Sequence, residues 1–486
     1  MLSTLLRRRS FPAGTPRHRV LRPTVLLALV ALLYGLAQLT LVSARMGIGW
    51  DESVYASQFA AHAPPAEFSA PRAQGVPLLV TPVVALTDSV VILRIYLTMI
   101  SSLALFGAFL VWTRVRTGYT APLAALLFAG CWLSLFYGNE AMPNLYVALG
   151  AVAATGFFAL GGRSRAATAG LAGSMAAVSL MRPSDALVIA LPMAGLAILT
   201  RPRRIRSLMA VLVGLGVGWS EWLVEASLRY GGIAARWHAA GAANRTGLTI
   251  SVVEHARALD GPSLCRWGVD CGEVSPPALI WWLAIPLMTM VGLWSAWRDR
   301  SRGPLLLATA TGLVIAAPYL FYVGYAAPRF LMPTYALLSL PLAEGAIGLV
   351  RRARPPLWHA AAGFVAAGLL AHFALQGAYA FRMSTITYES REWERLATEE
   401  LYRMGVRAPC MVYGQSGVQV GYMLGCSSQG LIRSFPEQLP PRASQAMQRG
   451  HRLVMIYSSA RPPRYATGWR AVELPGRWRA RFSPQR

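Results

Sequence analysis

The sequence predicts a polytopic α-helical membrane protein with about eleven transmembrane helices and a small extracytoplasmic α/β domain at its C-terminus. Three observations carry that expectation. Of the 486 residues 55% are hydrophobic and only 14% charged, and the mean hydropathy is +0.42, a balance that excludes a soluble globular enzyme. Apolar runs near the ~20 residues needed to cross a hydrocarbon core recur along the chain, separated by short arginine-bearing loops. From about Phe381 the apolar runs stop, and short stretches of helical or strand character replace them.

The apolar runs fall at Pro23–Ala44, Val90–Thr113, Ala121–Gly138, Leu145–Gly161, Ala166–Met181, Ala186–Thr200, Ser207–Ala226, Pro277–Trp297, Pro304–Tyr325, Phe330–Val350 and Leu357–Tyr379. Val76–Thr87 is too short to span and reads as a surface or half-inserted helix. This divides the chain into a basic cytoplasmic N-terminus over 1–22, a membrane domain over 23–380 with long outer loops at 45–89 and 227–276, and a tail domain over 381–486. Trp50, Trp222, Trp281, Trp282 and Tyr325 stand near span ends and read mostly as an aromatic belt.

Charge sets the expected orientation. All 46 basic residues are arginine, so lysine Schiff-base chemistry is excluded, and their dispersal in small groups between apolar runs argues against a nucleic-acid partner. With the N-terminus inside, Arg7, Arg8, Arg9, Arg17, Arg19 and Arg22, then Arg114 with Arg116, Arg163 with Arg165, Arg201 to Arg206, Arg298 to Arg302 and Arg351 to Arg354 all face the cytoplasm. The small residues after the first run do not make it a signal peptide, because that run exceeds the usual ~7–15 residues. Of the fourteen acids before the tail, only Asp299 and Glu344 lie inside. The others, including Asp51, Glu52, Glu140 and Asp185, gather at the outer face, where burial is costly unless they are used or paired.

Cys265 with Cys271 and Cys410 with Cys426 form two local outer pairs, which suits disulfides in an oxidising compartment, while Cys131 sits alone in a helix. Metal binding is the rival reading for each pair, weakened by the lack of histidines at ligand spacing. His62, His238 and His255 are isolated. In the tail, Thr387–Arg403 reads as a helix, Cys410–Tyr413 as a strand, Gly417–Leu424 as a short helix and Arg452–Tyr457 as a strand. The turn Gly414-Gln415-Ser416-Gly417 lacks the spacing of a nucleotide-binding fingerprint.

The segment Gly49-Trp50-Asp51-Glu52-Ser53-Val54-Tyr55-Ala56 directly follows the first span, and Gly75-Val76-Pro77-Leu78 comes about 25 residues later. Together with Arg94, Glu140 and Arg329-Phe330-Leu331-Met332-Pro333, this pattern resembles the GT-C glycosyltransferases, in particular the branch of the protein O-mannosyltransferases and the lipid A aminoarabinose transferase. One departure stands out. Where the family has His-Pro-Pro-Leu or Lys-Pro-Pro-Leu, this chain has Gly75-Val76-Pro77-Leu78, without the charged or imidazole group.

The resemblance implies transfer of a sugar from a polyprenyl phosphate, presented by the lipid bilayer, to an extracytoplasmic glycan, lipid or protein acceptor, with inversion at the anomeric carbon. Such chemistry needs a carboxylate base for the acceptor hydroxyl, and arginine forks or a divalent metal for the leaving phosphate. Asp51 is the candidate base with Glu52 beside it. Arg329, Arg94 and Arg182 are the candidate phosphate ligands, in that order, and Glu140 is a second acidic position. Each has a structural rival: Asp51 as an N-cap, Glu140 as a helix terminator, Arg329 as a snorkelling side chain, Arg182 as the partner of Asp185. A transporter, or a non-catalytic scaffold for envelope precursors, is the alternative function; acids crowded toward one face fit an enzyme better than a transport path through the midplane.

Tags placed after Arg206 and after Arg302 are expected to report the cytoplasm, and a tag at Arg486 the opposite side. A cytoplasmic C-terminus would break the count of eleven spans.

Overall fold

A computed structural model describes residues 22–161, 164–200, 204–266, 271–299, 302–431 and 434–484. The basic segment with Arg7, Arg8, Arg9, Arg17 and Arg19, together with Arg163, Arg201, Arg203, Asp270 and Arg300, lies outside the described residues. The membrane part comprises α1 (Pro23–Leu41), two short helices α2 (Trp50–Ala56) and α3 (Gly75–Val84), then α4 (Val90–Val115), α5 (Thr120–Ala129), α6 (Trp132–Gly138), α7 (Pro143–Leu160), α8 (Arg165–Met181), α9 (Pro183–Leu199) and α10 (Ile205–Arg229). It continues with α11 (Ile233–Asn244), α12 (Val252–Arg257), the short strand β1 (Cys265–Arg266), α13 (Pro276–Arg298), α14 (Gly303–Phe321), β2 (Tyr325–Ala326), α15 (Met332–Arg352) and α16 (Leu357–Arg403).

The protein is a multi-pass helical membrane protein. Among the described residues eight helices are long and apolar enough to cross a bilayer, and α5 with α6 would make a ninth span bent by 73°. The predicted third span is therefore broken. At the break a Cβ on Gly130 would lie 2.4 Å from the Phe373 ring of α16, and the amide N–H of Trp132, freed from the helix, donates to Gln376 at 3.0 Å, as a backbone group at membrane depth must. α8 and α9 are 17 residues each and complete the set of eleven predicted runs, all of which are helical. α15 is almost wholly buried in the bundle, and its one acid, Glu344, is matched by Arg116 at 2.5 Å and by the Thr120 hydroxyl.

The predicted boundary at 380/381 falls inside a helix. α16 runs unbroken for 47 residues because no glycine or proline occurs from Ala378 to Arg403. At 1.5 Å per residue it is ~70 Å long, more than twice a hydrocarbon core. Its charged second half consequently stands clear of the apolar part and becomes a layer of the tail domain.

That domain contains β3 (Cys410–Gly414), α17 (Gly417–Leu424), β4 (Ser427–Gly430), α18 (Pro441–Gln448), β5 (Arg452–Tyr457), β6 (Arg470–Glu473) and β7 (Arg479–Phe482), in the sheet order β4-β3-β5-β7-β6. β3 is parallel to β4 and β5, and both its faces are covered: Cys410 and Val412 pack toward α16, Met411 and Tyr413 toward α18, as parallel strands require. Cys410 and Cys426 are disulfide-bonded. Open sheets of this kind bind ligands where the chain direction switches, here between the ends of β3 and β5. The side-chain oxygen of Gln415 occupies that crevice and accepts from the amides of Ser458, Ser459 and Ala460 at 2.8, 3.1 and 3.2 Å. The backbone donors that could hold an anion are thereby already satisfied.

The domain is docked on the membrane part. The Trp50 ring lies against β4 so closely that a Cβ on Gly430 would overlap it, and His62 meets the Tyr422 carbonyl at 3.1 Å. Within the membrane part, Trp222 is buried with its indole N–H on the Ala70 carbonyl at 3.2 Å. Neither tryptophan belongs to an aromatic belt.

Glu394 lies in this joint, on the extramembrane half of α16. It accepts from the Ser416 hydroxyl at 2.5 Å and from Gln419 at 3.3 Å, and burial pushes its carboxyl up to about 7. In an unfolded chain it would titrate near 4.3. Between those values the unfolded state ionises first, so stability falls as pH rises from about 4 to 7 and stays low above. Glu394→Gln should therefore raise the thermal midpoint at pH 8 and change it little at pH 5, as read by melting curves of the purified protein in detergent at both pH values.

Candidate active site

Asp51 and Glu52 open α2, and adjacent residues on a helix point about 100° apart. That rotation gives two neighbouring carboxylates opposite environments. The helix is capped at Gly49, not at Asp51, so the capping rival for Asp51 has no geometric basis: its carboxylate meets no helix amide and instead takes Arg72 Nη2 at 2.5 Å and Arg329 Nη2 at 3.5 Å. Glu52 is the residue that reaches back to the Gly49 amide, at 2.9 Å.

Glu52 is 2% exposed and saturated. Besides Gly49 it accepts from the Ala141 amide at 2.8 Å, from both terminal nitrogens of Arg94 at 2.5 and 2.7 Å, and from Arg391 at 3.2 Å. Arg94, 0% exposed, spends its remaining donors on the carbonyls of Met46, Gly47 and Asn139. No donor of Arg94 is left to face a ligand, which makes its geometry that of a strut between α4, the α2 loop and the α6–α7 turn. Burial would raise the Glu52 carboxyl, but Arg94 and then Arg391 hold it below the usual range. Glu140 sits behind, 2.7 Å from Arg391. Burial pushes its carboxyl up despite that contact.

The open part of the site is built by arginines around Asp51. Arg329 and Arg182 both stack on the Phe330 ring, 5.5 and 5.2 Å from its centroid. Arg329 donates to the Ser263 carbonyl at 3.1 Å, while Arg182 pairs through Nε with Asp185 at 3.1 Å. Asp185 also takes the Tyr319 hydroxyl at 2.5 Å. Arg182 is thus both paired and present at the site, because the Asp185 contact uses only one edge of its fork. Arg266 arrives from β1, which pairs antiparallel with β2 so that it stands opposite Tyr325, its guanidinium 5.0 Å from that ring. The Cys265–Cys271 disulfide closes the loop from which β1 comes. Tyr325 is buried here and is not a belt residue.

Arg72 is held with equal care. The carbonyls of Phe68, Ala70 and Arg72 accept, respectively, from Tyr230 at 2.7 Å, from Arg236 Nε at 3.2 Å and from Arg236 Nη2 at 3.0 Å. Arg236 is fully buried between the Trp222 and Tyr230 rings and paired with Glu225 at 2.7 Å. Arg72, Arg236, Arg266 and Arg391 were missed in the sequence reading. Their one signal is location: they are arginines on the face where the charge bias makes arginine scarce. Burial alone would raise the Asp51 carboxyl; Arg72 and Arg329 outweigh it and hold it below the usual carboxylate range. Asp51 is also the open acid of the group, 34% exposed against 2% for Glu52 and 4% for Glu140.

A divalent metal does not fit these residues. Among the described residues no three His, Cys, Asp or Glu side chains stand together as ligands, and each acid of the site already faces an arginine.

No protein-family model matches the chain, and no curated protein sequence does. Solved structures do. ArnT from Cupriavidus metallidurans, bound to undecaprenyl phosphate, superposes with a TM-score of 0.62 at 14% identity over 94% of this chain and 97% of that one. The Archaeoglobus fulgidus oligosaccharyltransferase tethered to an acceptor peptide gives 0.52 at 12% identity over 89% and 69%. The arabinofuranosyltransferase AftD from Mycobacteria gives 0.51 at 16% identity over 88% of this chain and 35% of that chain. The chain has the fold of the GT-C membrane glycosyltransferases.

Removing the Arg94 charge leaves Glu52 buried with Arg391 as its only cation. Arg94→Gln should cost about 3–5 kcal/mol, the usual penalty for breaking a buried pair, while Arg395→Gln, which loses only exposed pairs with Glu392 and Glu399, should cost about 0–1 kcal/mol. Denaturant titration of both variants in one detergent checks this; equal stability would show Arg94 to be no strut.

Proposed function

We propose that the protein transfers a sugar from a polyprenyl-phosphate donor to a hydroxyl-bearing acceptor on the outer side of the membrane, with Asp51 as general base. The observation that carries this reading is the convergence of Arg329, Arg182, Arg266 and Arg72 around one half-open carboxylate. All four guanidiniums stand over aromatic rings that orient their forks, Arg72 over Tyr55 among them, which is a phosphate-binding arrangement. The fold supports it, since ArnT binds undecaprenyl phosphate and the archaeal oligosaccharyltransferase dolichol phosphate. The arginine bias supports a cytoplasmic N-terminus, with the site, the disulfides and the tail domain outside.

The roles follow from how much of each side chain is free. Arg329, at its long 3.5 Å contact with Asp51, Arg182 and Arg266 take the donor phosphate. Arg72 aims Asp51. Glu52, Arg94, Glu140 and Arg391 fix the α2 loop from behind, so Arg391 makes the tail domain part of the site's support. In the resting site Asp51 is too weak a base, being held down by two cations. The donor's phosphodiester anion competes for Arg329 and raises the carboxylate's proton affinity where the acceptor arrives. The acceptor oxygen then attacks the anomeric carbon, its proton passes to Asp51, and the bond from that carbon to phosphate breaks, leaving polyprenyl phosphate on the arginines. Attack opposite the leaving group inverts the anomeric configuration.

Asp51→Asn keeps shape and removes the base. Transfer from an undecaprenyl-phosphate sugar should fall by roughly 10²–10⁴ while the melting midpoint stays near that of the unaltered protein. Arg329→Lys keeps charge but loses the planar fork and should give an intermediate loss. Full transfer by a well-folded Asp51→Asn protein would reject the mechanism.

A further inference from the structure

The end of the bundle opposite the candidate site carries a second arginine arrangement that the transfer reaction does not use. α13 leaves the site face after the disulfide loop and ends at Arg298, and α14 begins next to Arg302. α13 packs chiefly on α15, and α14 on α15 and α9. Between the two lies a groove of 490 Å³ lined by Leu293, Trp294, Trp297, Arg298, Arg302 and Leu306, within the range of small-ligand sites, about 300–1,000 Å³.

Its two ends differ in chemistry. At the mouth, the Arg302 guanidinium lies 3.5 Å over the Trp297 ring and that of Arg298 5.3 Å over Trp294. Among the described residues neither has a carboxylate partner, because Asp299, which stands between them, is taken by Arg351 and Arg352. A guanidinium stacked on an indole keeps its in-plane N–H groups free for a fork onto phosphate. Deeper, Leu293 and Leu306 present a wall that only hydrocarbon satisfies, and Trp294 and Trp297 are 52% and 60% exposed.

We infer that this groove binds one anionic glycerophospholipid from the leaflet opposite the candidate site, its phosphate held by Arg298 and Arg302 and an acyl chain laid along Leu293 and Leu306. Charge complementarity selects the occupant. A free phosphate would leave the apolar wall uncovered, and a neutral lipid would leave two cations without a counter-charge. Neither α13 nor α14 contributes an arginine at this end to the transfer site, so the inference does not rest on the proposed function.

The test uses the whole protein, purified in detergent, with native mass spectrometry and melting curves. Phosphatidylglycerol should be retained and raise the melting midpoint, phosphatidylcholine should do so weakly, and inorganic phosphate should neither stabilise nor displace the lipid. Arg298→Gln with Arg302→Gln should weaken phosphatidylglycerol binding about 10- to 100-fold, the range for losing charge-assisted hydrogen bonds, with an unchanged midpoint in lipid-free detergent as the check on folding. Trp297→Leu keeps the groove apolar but removes one platform and should weaken binding less. Undiminished phosphatidylglycerol binding by the double variant, or equal retention of phosphatidylcholine, would overturn the inference. So would displacement by inorganic phosphate, which would mark an anion site without lipid.

Discussion

A carboxylate buried in a low-dielectric interior must be matched, and in this protein one such carboxylate, Glu52, organises the candidate site. Its partners come from four distant parts of the chain: the loop before α2, Arg94 of α4, the α6–α7 turn and Arg391 of α16. Leaving any of these out exposes an ionised group to an environment that cannot solvate it. The cost of that burial is what forces the four parts together. Asp51 needs no partner for stability of this kind and stays half open beside Glu52, so the loop combines a fixed acid with a usable one.

The same logic explains two glycines. Gly49 lies where a Cβ would come within 2.6 Å of the Arg391 guanidinium, and Gly430 where it would collide with Trp50. Both absences of a side chain serve the passage of a long one. On the other side of Asp51, the segment from Phe68 to Arg72 has no ladder partner to satisfy its carbonyls, and Tyr230 and Arg236 replace one. Arg236 can be buried there because Glu225 neutralises it and two rings flank it. Rigid support on both flanks is what allows a loop carboxylate to be aimed at all.

Much of the fold was legible because hydropathy is local. Ten of the eleven apolar runs are each a single helix, and the tail strands at Cys410 and Arg452 begin where composition placed them. The break between α5 and α6 was not, because Ala121–Gly138 is apolar throughout and only the Phe373 ring and the Gln376 side chain, some 240 residues away, set the bend. For the site, the outer acids were readable from topology and Arg329 from the resemblance of the Arg329-Phe330-Leu331-Met332-Pro333 segment, while the contrast between Asp51 and Glu52 was not: adjacent acids look alike until helix rotation gives one to Arg94 and the other to Arg72. Arg94 itself shows the limit of motif reading, since a resemblance locates an arginine without saying whether its donors face a ligand or the backbone.

The unbroken α16 joins the bilayer to the candidate site through a single rigid rod. Between Tyr379, where its apolar part ends, and Arg391, which meets Glu52 and Glu140, no turn or bulge interrupts the helix. Such a rod measures distance in residues: one inserted residue would advance everything beyond it by 1.5 Å and swing it through about 100°, carrying Arg391 away from both acids. The stretch between membrane and site is therefore a ruler, free to vary in side chain at its exposed positions but not in length.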